Sequence, residues 1–378
     1  MTNLVLENAT IVIPEGLSEA AVVIEAGRIA ALGGGYEGAK RIDLGGGYLL
    51  PGFIDTQVNG GGGVLLNDDP SVAGIATIAA AHRRFGTTSI LPTLISDDLA
   101  VIEQAIGAID QAIAEGIPGV IGLHIEGPFI SSERRGIHAQ RFMRALDEEA
   151  LTLLTRPTRG VRLVTLAPEC VAPGTIRRLR EAGLIVAAGH SMATYDETRA
   201  ALDEGLDGFT HLFNAMTQFH SRAPGMVGAA LEDRRSRFGL IVDGEHVHPA
   251  ALRVALAARG LEGGMLVTDA MPPAGADMPR FDLQGRTITV ADGSLRGEDG
   301  TLAGSALTMD LALRNSMDML GLSLAQASRL ASGNPAAFLK LDRESGGIAP
   351  GQRADLVHLD ERYRVRQVWI GGQPQLGV

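Results

Sequence analysis

The chain has 378 residues, of which 45% are hydrophobic and 20% are charged. This composition is typical of a well-packed globular protein and excludes an intrinsically disordered chain. The 33 basic and 44 acidic residues give a net charge of −11. That charge argues against nucleic-acid binding, because phosphate backbones require clustered positive charge. The single cysteine, Cys170, excludes a disulfide framework and indicates a reducing compartment.

No segment approaches the run of about 18 apolar residues that a membrane-spanning helix needs. The first residues, MTNLVLENATIVIPEG, lack the basic start and the small-residue cleavage site of a signal peptide. We therefore expect a cytoplasmic protein without a membrane or nucleic-acid partner. The 49 glycines predict many tight turns and close backbone approaches.

Short apolar runs alternate with helical stretches between about residue 50 and residue 340. The runs are Gly52–Gln57, Thr88–Pro92, Val120–Glu126, Val161–Glu169, Leu184–His190, Gly208–Asn214, Phe238–Asp243 and Met265–Asp269. The helical stretches include Ser71–Phe85, Leu99–Glu115, Thr175–Ala182, Thr194–Glu204 and Pro249–Arg259. A strand-then-helix unit that recurs eight times predicts an α/β protein with a (β/α)₈ TIM-like barrel over residues 51–340.

The two ends of the chain have a different pattern. Residues 1–50 and 341–378 read as short alternating strands separated by turns. Because chain ends are commonly close in space, we predict that these segments form one small β-sandwich domain beside the barrel. Ser323–Leu339 is predicted to be helical, with a break at Gly333-Asn334-Pro335.

Polar residues stand where the predicted barrel strands end, on the face that carries the active site in such barrels. His190 and His211 end the apolar runs VAAGH and DGFTH, and Glu126 ends GLHIE. Two imidazoles and a carboxylate, with a position left for water, are the ligand set of a catalytic Zn²⁺ or a similar divalent ion. A structural hydrogen-bond cluster is the alternative that the pattern leaves open.

Asp269 ends the eighth run, in LVTDAMPPAG. A carboxylate opposite a metal and its water can take the water's proton and return it to a leaving group. A helix N-cap for the next segment explains this aspartate equally well. His124 shares a strand face with Glu126, so it is a candidate for orienting the metal site.

Nine motifs stand in order along the chain: PGFIDTQVNG, HIEGPFIS, RRGIHA, AAGHSMATYDE, THLFNAM, RAPGMVGAAL, DGEHVHP, VTDAMPPAG and TLAGSALTMD. Together they resemble the N-acetylglucosamine-6-phosphate deacetylases of the amidohydrolase superfamily. The resemblance implies a barrel with a small β-domain that hydrolyses the acetamide of N-acetyl-D-glucosamine 6-phosphate. The products would be D-glucosamine 6-phosphate and acetate, in amino sugar catabolism and cell-wall recycling.

The resemblance assigns roles to matching positions. It implies that Glu126, His190 and His211 bind one divalent metal ion per subunit and that Asp269 is the general base and acid for a metal-activated water. The ion would be Zn²⁺, with Fe²⁺, Co²⁺ or Mn²⁺ as alternatives. The implied contacts with the phosphorylated N-acetyl amino sugar are Ile137, His138, Asn214, Ala215, Arg222, His246 and a lid formed by Leu302, Ala303 and Gly304.

The resemblance further implies a homodimer in which Arg222 and His246 reach the active site of the neighbouring subunit. One position departs from the wider superfamily. Gln57-Val58-Asn59 stands where many amidohydrolases have a His-x-His motif that helps to bind a second metal. Because neutral amides are poor Zn²⁺ ligands, we predict a site for a single metal ion.

Three other functions stay open. One is an N-acetylgalactosamine-6-phosphate deacetylase, whose substrate differs from the gluco sugar only in the orientation of one hydroxyl group. A deacylase of N-acyl amino acids is disfavoured, because THLFNAM with Arg222 indicates phosphate recognition. A non-catalytic barrel that serves as a binding module is a distant alternative. Such a module would not need a metal, yet the three candidate ligands and Asp269 are all present.

Overall fold

The structure is a computed structural model, and it describes residues 3–13, 16–34, 37–291 and 293–375. The strands within these ranges are β1 (Leu4–Glu7), β2 (Thr10–Ile13), β3 (Gly16–Ser18), β4 (Val22–Glu25), β5 (Arg28–Leu32), β6 (Lys40–Asp43), β7 (Tyr48–Pro51), β8 (Phe53–Val58), β9 (Gly60–Gly61), β10 (Val64–Leu65), β11 (Thr87–Ile95), β12 (Gly122–Glu126), β13 (Val161–Leu166), β14 (Ile185–Ala188), β15 (Gly208–Phe209), β16 (Arg237–Leu240), β17 (Gly264–Leu266), β18 (Arg280–Leu283), β19 (Arg286–Ala291), β20 (Ser294–Gly297), β21 (Leu302–Ser305), β22 (Leu356–Leu359), β23 (Val365–Ile370) and β24 (Gln373–Pro374). The α-helices there are α1 (Val72–Arg83), α2 (Leu99–Ala114), α3 (Glu148–Thr155), α4 (Thr175–Glu181), α5 (Tyr195–Glu204), α6 (Gly225–Glu232), α7 (Pro249–Arg259), α8 (Met309–Leu320), α9 (Leu324–Ser328) and α10 (Asn334–Phe338).

All eight strands predicted for the barrel lie in one parallel sheet. Their order, β8-β11-β12-β13-β14-β15-β16-β17, follows the chain. The first and last strands meet at a parallel bridge between Val58 and Ala270, and Asp269 N donates to Gln57 O at 3.0 Å. The sheet therefore closes, and the predicted (β/α)₈ barrel is confirmed.

The barrel strands are buried and its helices carry recognisable start signals. Every residue of β8 and of β11 is buried, as expected for parallel strands covered on both faces. The Ser71 side chain caps α1 by accepting from Gly74 N, and Thr194 with Glu197 forms a capping box at α5. Within the described ranges, no helix combines the length and apolar character that crossing a bilayer requires.

The chain ends form two further sheets. One has the order β5-β4-β1-β6, and the other has the order β24-β23-β22-β7-β2-β3, so it joins strands from the two ends. Leu6, Ile24, Leu49, Leu356 and Trp369 are buried together in one core between these segments. The small β-domain built from both ends is thus confirmed, while its limits at residues 50 and 341 stay a prediction.

An inserted antiparallel sheet, β18-β19-β20-β21, follows the last barrel strand and was not predicted from the sequence. Its first hairpin turns at Gln284 and Gly285, which both have positive φ, at 53° and 86°. Two such residues form the tight turn that matches the twist of a hairpin. Phe281 and Ile288 of this sheet share a core with Met271. Within the sheet, β21 carries the residues expected to form a lid.

Candidate active site

The strand ends of the barrel surround a cavity of about 320 Å³. Glu126 is the last residue of β12, and His190, His211 and Asp269 follow β14, β15 and β17 within three residues. His190, His211 and Asp269 have positive φ, at 49°, 31° and 52°. This left-handed backbone is sparsely populated for such residues, and it clusters at functional sites. The chain therefore turns sharply at these three residues, which face the cavity.

The structure gathers nearly all of the predicted site residues around this cavity. Those that line it are Glu126, Ile137, His138, His190, His211, Asn214, Ala215, His246, Asp269, Leu302 and Gly304. Ala303 is fully buried between two lining residues and does not line the cavity itself. Arg222 is exposed and lies outside the cavity of its own chain.

Glu126, His190 and His211 bring three potential ligand atoms to one point. Glu126 Oε1 lies 3.2 Å from His190 Nε2 and 3.0 Å from His211 Nε2, and the two Nε2 atoms are 3.0 Å apart. Ligand atoms held about 2.0–2.2 Å from a tetrahedral ion are about 3.3–3.6 Å from one another. The observed separations are close to that spacing, so the three side chains fit a divalent ion.

The hydrogen bonds of His190 also favour a metal ligand. Its Nδ1 lies 2.8 Å from the carbonyl oxygen of Arg134, so Nδ1 carries a proton and donates it. The lone pair of a neutral imidazole is then on Nε2, the atom that faces Glu126 and His211.

His138 offers an alternative third ligand, because a ligand atom from each of Glu126, His138 and His190 lies within 4.8 Å of the others. The hydrogen bonds of His138 argue against that set. The backbone N–H of Ser96 donates to His138 Nδ1 at 3.2 Å, which places the ring proton on Nε2. Burial lowers the pKa of His138 to about 3, so the ring is neutral. His138 therefore presents an N–H donor, and His211 is the better third ligand.

Asp269 stands beside the three candidate ligands and is held by two side-chain amides. Asn59 Nδ2 donates to its Oδ1 at 2.7 Å, and Gln57 Nε2 donates to the same oxygen at 3.1 Å. Burial, followed by the charge of Glu126, raises the pKa of Asp269 to about 6. A carboxyl group with such a pKa can exchange a proton near neutral pH, as a general base and acid must.

Gln57 connects the two carboxylates of the site. Its Nε2 lies 3.1 Å from each oxygen of Glu126 as well as from Asp269 Oδ1. The carbonyl oxygen of the neighbouring amide, Asn59 Oδ1, is buried without a hydrogen-bond partner among the described residues. The two amides that replace a His-x-His motif thus serve mainly as donors to carboxylates.

His246 lines the cavity of its own chain, whereas the resemblance implied that it serves a neighbouring subunit. Its Nδ1 lies 2.6 Å from Asp243 Oδ2, and the backbone N–H groups of Glu245 and His246 donate to Asp243 Oδ1 at 2.9 Å. Burial opposes ionisation of Asp243, but its bonds to His246 lower the pKa of that carboxyl below its usual value. Asp243 therefore fixes the ring orientation of His246 at the cavity wall.

His124 lies below the candidate ligands, inside the barrel. Its Nε2 is 2.7 Å from Thr165 Oγ1, which in turn lies 2.6 Å from Thr210 Oγ1. Burial lowers the pKa of His124 to about 4, so the ring is neutral. This buried chain of hydrogen bonds links β12 and β13 to the residue that follows β15, which agrees with an orienting role.

The charged cavity residues that the sequence analysis does not single out are Glu133 and Arg134. They lie in the segment between β12 and α3, which has no regular periodicity that could reveal which side chains face inward. The only available signal was the pair Arg134-Arg135 just ahead of His138 in RRGIHA.

Comparison with known proteins agrees with the fold and identifies related proteins. The sequence profile of the amidohydrolase family matches residues 48–374. The chain is 44% identical over 327 residues to the N-acetylgalactosamine-6-phosphate deacetylase of Shewanella sp. (strain ANA-3), covering 86% of this chain and 83% of that protein. It is 39% identical over 350 residues to the N-acetylglucosamine-6-phosphate deacetylase of Homo sapiens, covering 88% and 85%.

A solved structure extends this agreement to three dimensions. The crystal structure of N-acetylglucosamine-6-phosphate deacetylase from Pasteurella multocida superimposes with a TM-score of 0.96 at 33% identity, covering 99% of this chain and 100% of that chain. The profile match spans the barrel and reaches into both flanking segments. On these grounds, the chain belongs to the amidohydrolase family.

Proposed function

We propose that the protein is a metal-dependent deacetylase that hydrolyses the acetamide of N-acetyl-D-glucosamine 6-phosphate to D-glucosamine 6-phosphate and acetate. The observation that carries this proposal is the placement of Asp269 beside Glu126, His190 and His211 in one cavity. The relatives named above act on phosphorylated amino sugars, which supports the substrate class. The reaction belongs in the cytoplasm, in amino sugar catabolism and cell-wall recycling.

Glu126, His190 and His211 are the proposed ligands of one divalent ion per subunit. A bound Zn²⁺, Fe²⁺, Co²⁺ or Mn²⁺ lowers the pKa of water and polarises a carbonyl group. The Nδ1–H of His190 is held by the carbonyl of Arg134, which keeps its Nε2 available as a ligand. The amide of Gln57 donates to both Glu126 oxygens, which keeps the carboxylate oriented.

Asp269 is the proposed general base and acid. It removes a proton from the attacking water and later passes that proton to the nitrogen of the sugar, so that the C–N bond breaks and the amine leaves. Both neighbouring amides donate to Oδ1. We therefore assign the transferred proton to Oδ2, to which no side chain among the described residues donates.

The remaining cavity residues hold the sugar. His138 presents a neutral N–H donor, and His246 is oriented by Asp243 to contact the acetyl group or its oxyanion. Asn214 and Ala215 are assigned to the phosphate, with Ile137, Leu302 and Gly304 as walls and the buried Ala303 as support for the lid. Arg222 is assigned to the site of a second subunit in a homodimer, because it is exposed and outside its own cavity.

A second candidate substrate is N-acetyl-D-galactosamine 6-phosphate. The observation that favours it is the higher identity to the N-acetylgalactosamine-6-phosphate deacetylase of Shewanella sp. (strain ANA-3), 44%, than to the N-acetylglucosamine-6-phosphate deacetylase of Homo sapiens, 39%. The two sugars differ only in the orientation of one hydroxyl group. The same metal ligands and the same Asp269 would serve both.

The test is acetate release from N-acetylglucosamine 6-phosphate, from its 4-epimer and from unphosphorylated N-acetylglucosamine, each with and without a chelator. Chelator-sensitive release that is fastest with the phosphorylated gluco sugar is the expected result. Faster release from the 4-epimer would assign the galacto substrate instead. No release from any of the three sugars, by protein confirmed to hold metal, would refute the proposal and favour another deacylase.

A further inference from the structure

Arg134 is a cavity residue with an unusual hydrogen-bond partner. Its guanidinium Nε donates to the thioether sulfur of Met192 at 3.0 Å, and none of the ion pairs among the described residues includes it. A thioether is a weak acceptor, so this contact positions the guanidinium without neutralising it. In a chain with a net charge of −11, an unpaired guanidinium that lines a cavity can serve an anionic ligand.

The Met192 contact places Arg134 on one particular side of the cavity. Met192 follows Ser191, whose backbone N–H donates to the carbonyl oxygen of Ala215 at 3.0 Å. The carboxylate of Glu169 holds the same segment by accepting from Ser191 Oγ at 2.6 Å and from Met192 N at 2.5 Å. Arg134 is therefore attached to the rim that carries Ala215.

The backbone of Arg134 is anchored independently of its side chain. Its carbonyl oxygen accepts from His190 Nδ1 at 2.8 Å, so the residue sits directly above a proposed metal ligand. Replacing the side chain leaves that carbonyl in place. The neighbouring Glu133 also lines the cavity and brings a carboxylate to the same stretch of chain. The two adjacent side chains should thus affect a bound anion in opposite directions.

We infer that Arg134 binds the phosphate group of the substrate from within the same chain and thereby sets the preference for phosphorylated over unphosphorylated amino sugars. This inference rests on the proposed function and extends it, because it adds a cation that needs no second subunit. Arg222, by contrast, is exposed and lies outside the cavity of its own chain.

The experiment compares Arg134→Gln and Arg134→Lys with the wild type, using N-acetylglucosamine 6-phosphate and the unphosphorylated sugar as substrates. Arg141→Gln is the matched control, because Arg141 lies in the same segment, is exposed and contacts the Gln284 carbonyl outside the cavity. Glu133→Gln removes the negative charge next to Arg134 and tests the opposite effect. Bound metal is quantified in every protein, so that loss of the metal site is recognised directly.

For Arg134→Gln we expect KM for the phosphorylated sugar to rise about tenfold or more, as for the loss of one hydrogen bond to a charged group. Its kcat and its metal content should stay near those of the wild type. Arg134→Lys should recover part of the loss, Arg141→Gln should change nothing, and Glu133→Gln should lower KM. The rate with unphosphorylated sugar should hardly change.

Equal losses with both sugars in Arg134→Gln would overturn the inference, because a merely structural arginine would affect both alike. An unchanged ratio of kcat/KM between the two sugars would overturn it as well. In both cases the wild type would still release acetate, so the proposed function would stand. A wild type that hydrolyses neither sugar would remove the proposed function and the inference together.

Discussion

The side-chain amide of Gln57 lies 3.1 Å from both carboxylate oxygens of Glu126. The same nitrogen lies 3.1 Å from Asp269 Oδ1, so one neutral donor stands between two buried carboxylates. An N–H that bonds to a carboxylate favours the ionised form and lowers its pKa. The amide therefore helps two negative groups to coexist in a buried site.

Replacing Gln57 by Met removes this donor at similar volume. Asp269 then loses one of the two amide bonds to Oδ1, and we expect its pKa to rise. Because a general base must be ionised, the acid limb of the kcat profile should move to higher pH. The measurement is kcat from pH 5 to pH 9 with bound metal quantified. An unmoved acid limb in a metal-loaded variant would contradict the role given to Gln57.

Asp269→Asn tests the general base and acid. The amide side chain cannot take a proton from water, so kcat should fall about 10²–10⁴-fold. The metal content should be unchanged, because Asp269 is not one of the three proposed ligands. Rapid-quench acetate release together with metal analysis checks both points. A variant with near wild-type turnover would show that another group transfers the proton.

Asp55 gives a prediction about stability rather than activity. Burial raises the pKa of Asp55 from 3.8 to about 7, although Thr268 Oγ1 donates to it at 2.6 Å. Between about pH 4 and pH 7, the Asp55 carboxyl group is therefore protonated in the folded chain and ionised in the unfolded chain. Its contribution to stability is complete below about pH 4 and is lost as the pH rises through about 7.

Asp55→Asn removes this titration while keeping an acceptor for Thr268. Relative to the wild type, the variant should gain unfolding free energy as the pH rises from 4 to 8. Three pKa units set an upper limit of about 4 kcal/mol on that gain. Denaturant unfolding of both proteins across this range is the measurement. Parallel stability curves for the two proteins would mean that Asp55 is ionised throughout.

Metal removal should act on both activity and stability. A chelator should abolish acetate release, and added Zn²⁺ should restore it at one ion per chain. An ion present at about 100 times its Kd stabilises the folded state by about 2.7 kcal/mol, so the chelated protein should melt at lower temperature. His211→Asn should lose the ion and His138→Asn should keep it. The reverse result would identify His138 as the third ligand.

The assignment of Arg222 to a neighbouring subunit can be tested by mixing two inactive or weakened proteins. In a hybrid dimer of Asp269→Asn with Arg222→Ala, one of the two sites would combine an intact Asp269 with an intact Arg222. Mixing should therefore restore activity at low substrate concentration, where the raised KM of Arg222→Ala limits the rate. No gain after subunit exchange, or a monomer by sedimentation, would contradict a shared site.

The barrel and the four central residues of the site could be predicted from the sequence, because a polar residue follows directly after each of these apolar runs. A histidine or a glutamate directly after an apolar run, as in VAAGH or GLHIE, is uncommon inside a parallel strand buried on both faces and indicates the edge where the strands end. Eight such runs in order then place Glu126, His190, His211 and Asp269 around one point.

The rest depended on contacts that periodicity does not encode. The sheet β18-β19-β20-β21 has short strands with many exposed residues, so its hydrophobic signal is weak. Arg134 faces the cavity because of a loop conformation that no local pattern specifies. The resemblance places His246 at a neighbouring subunit's site, whereas in the folded chain it lines the cavity of its own barrel.

The left-handed backbone at His190, His211 and Asp269 has a consequence for how the molecule can evolve. Each such conformation costs about 1–3 kcal/mol, which the surrounding barrel must offset. Glycine would relax the backbone at any of the three positions and would remove the reactive side chain at the same time. Selection for stability and selection for turnover therefore oppose each other at these residues, and thermostable variants must find their gains elsewhere in the barrel.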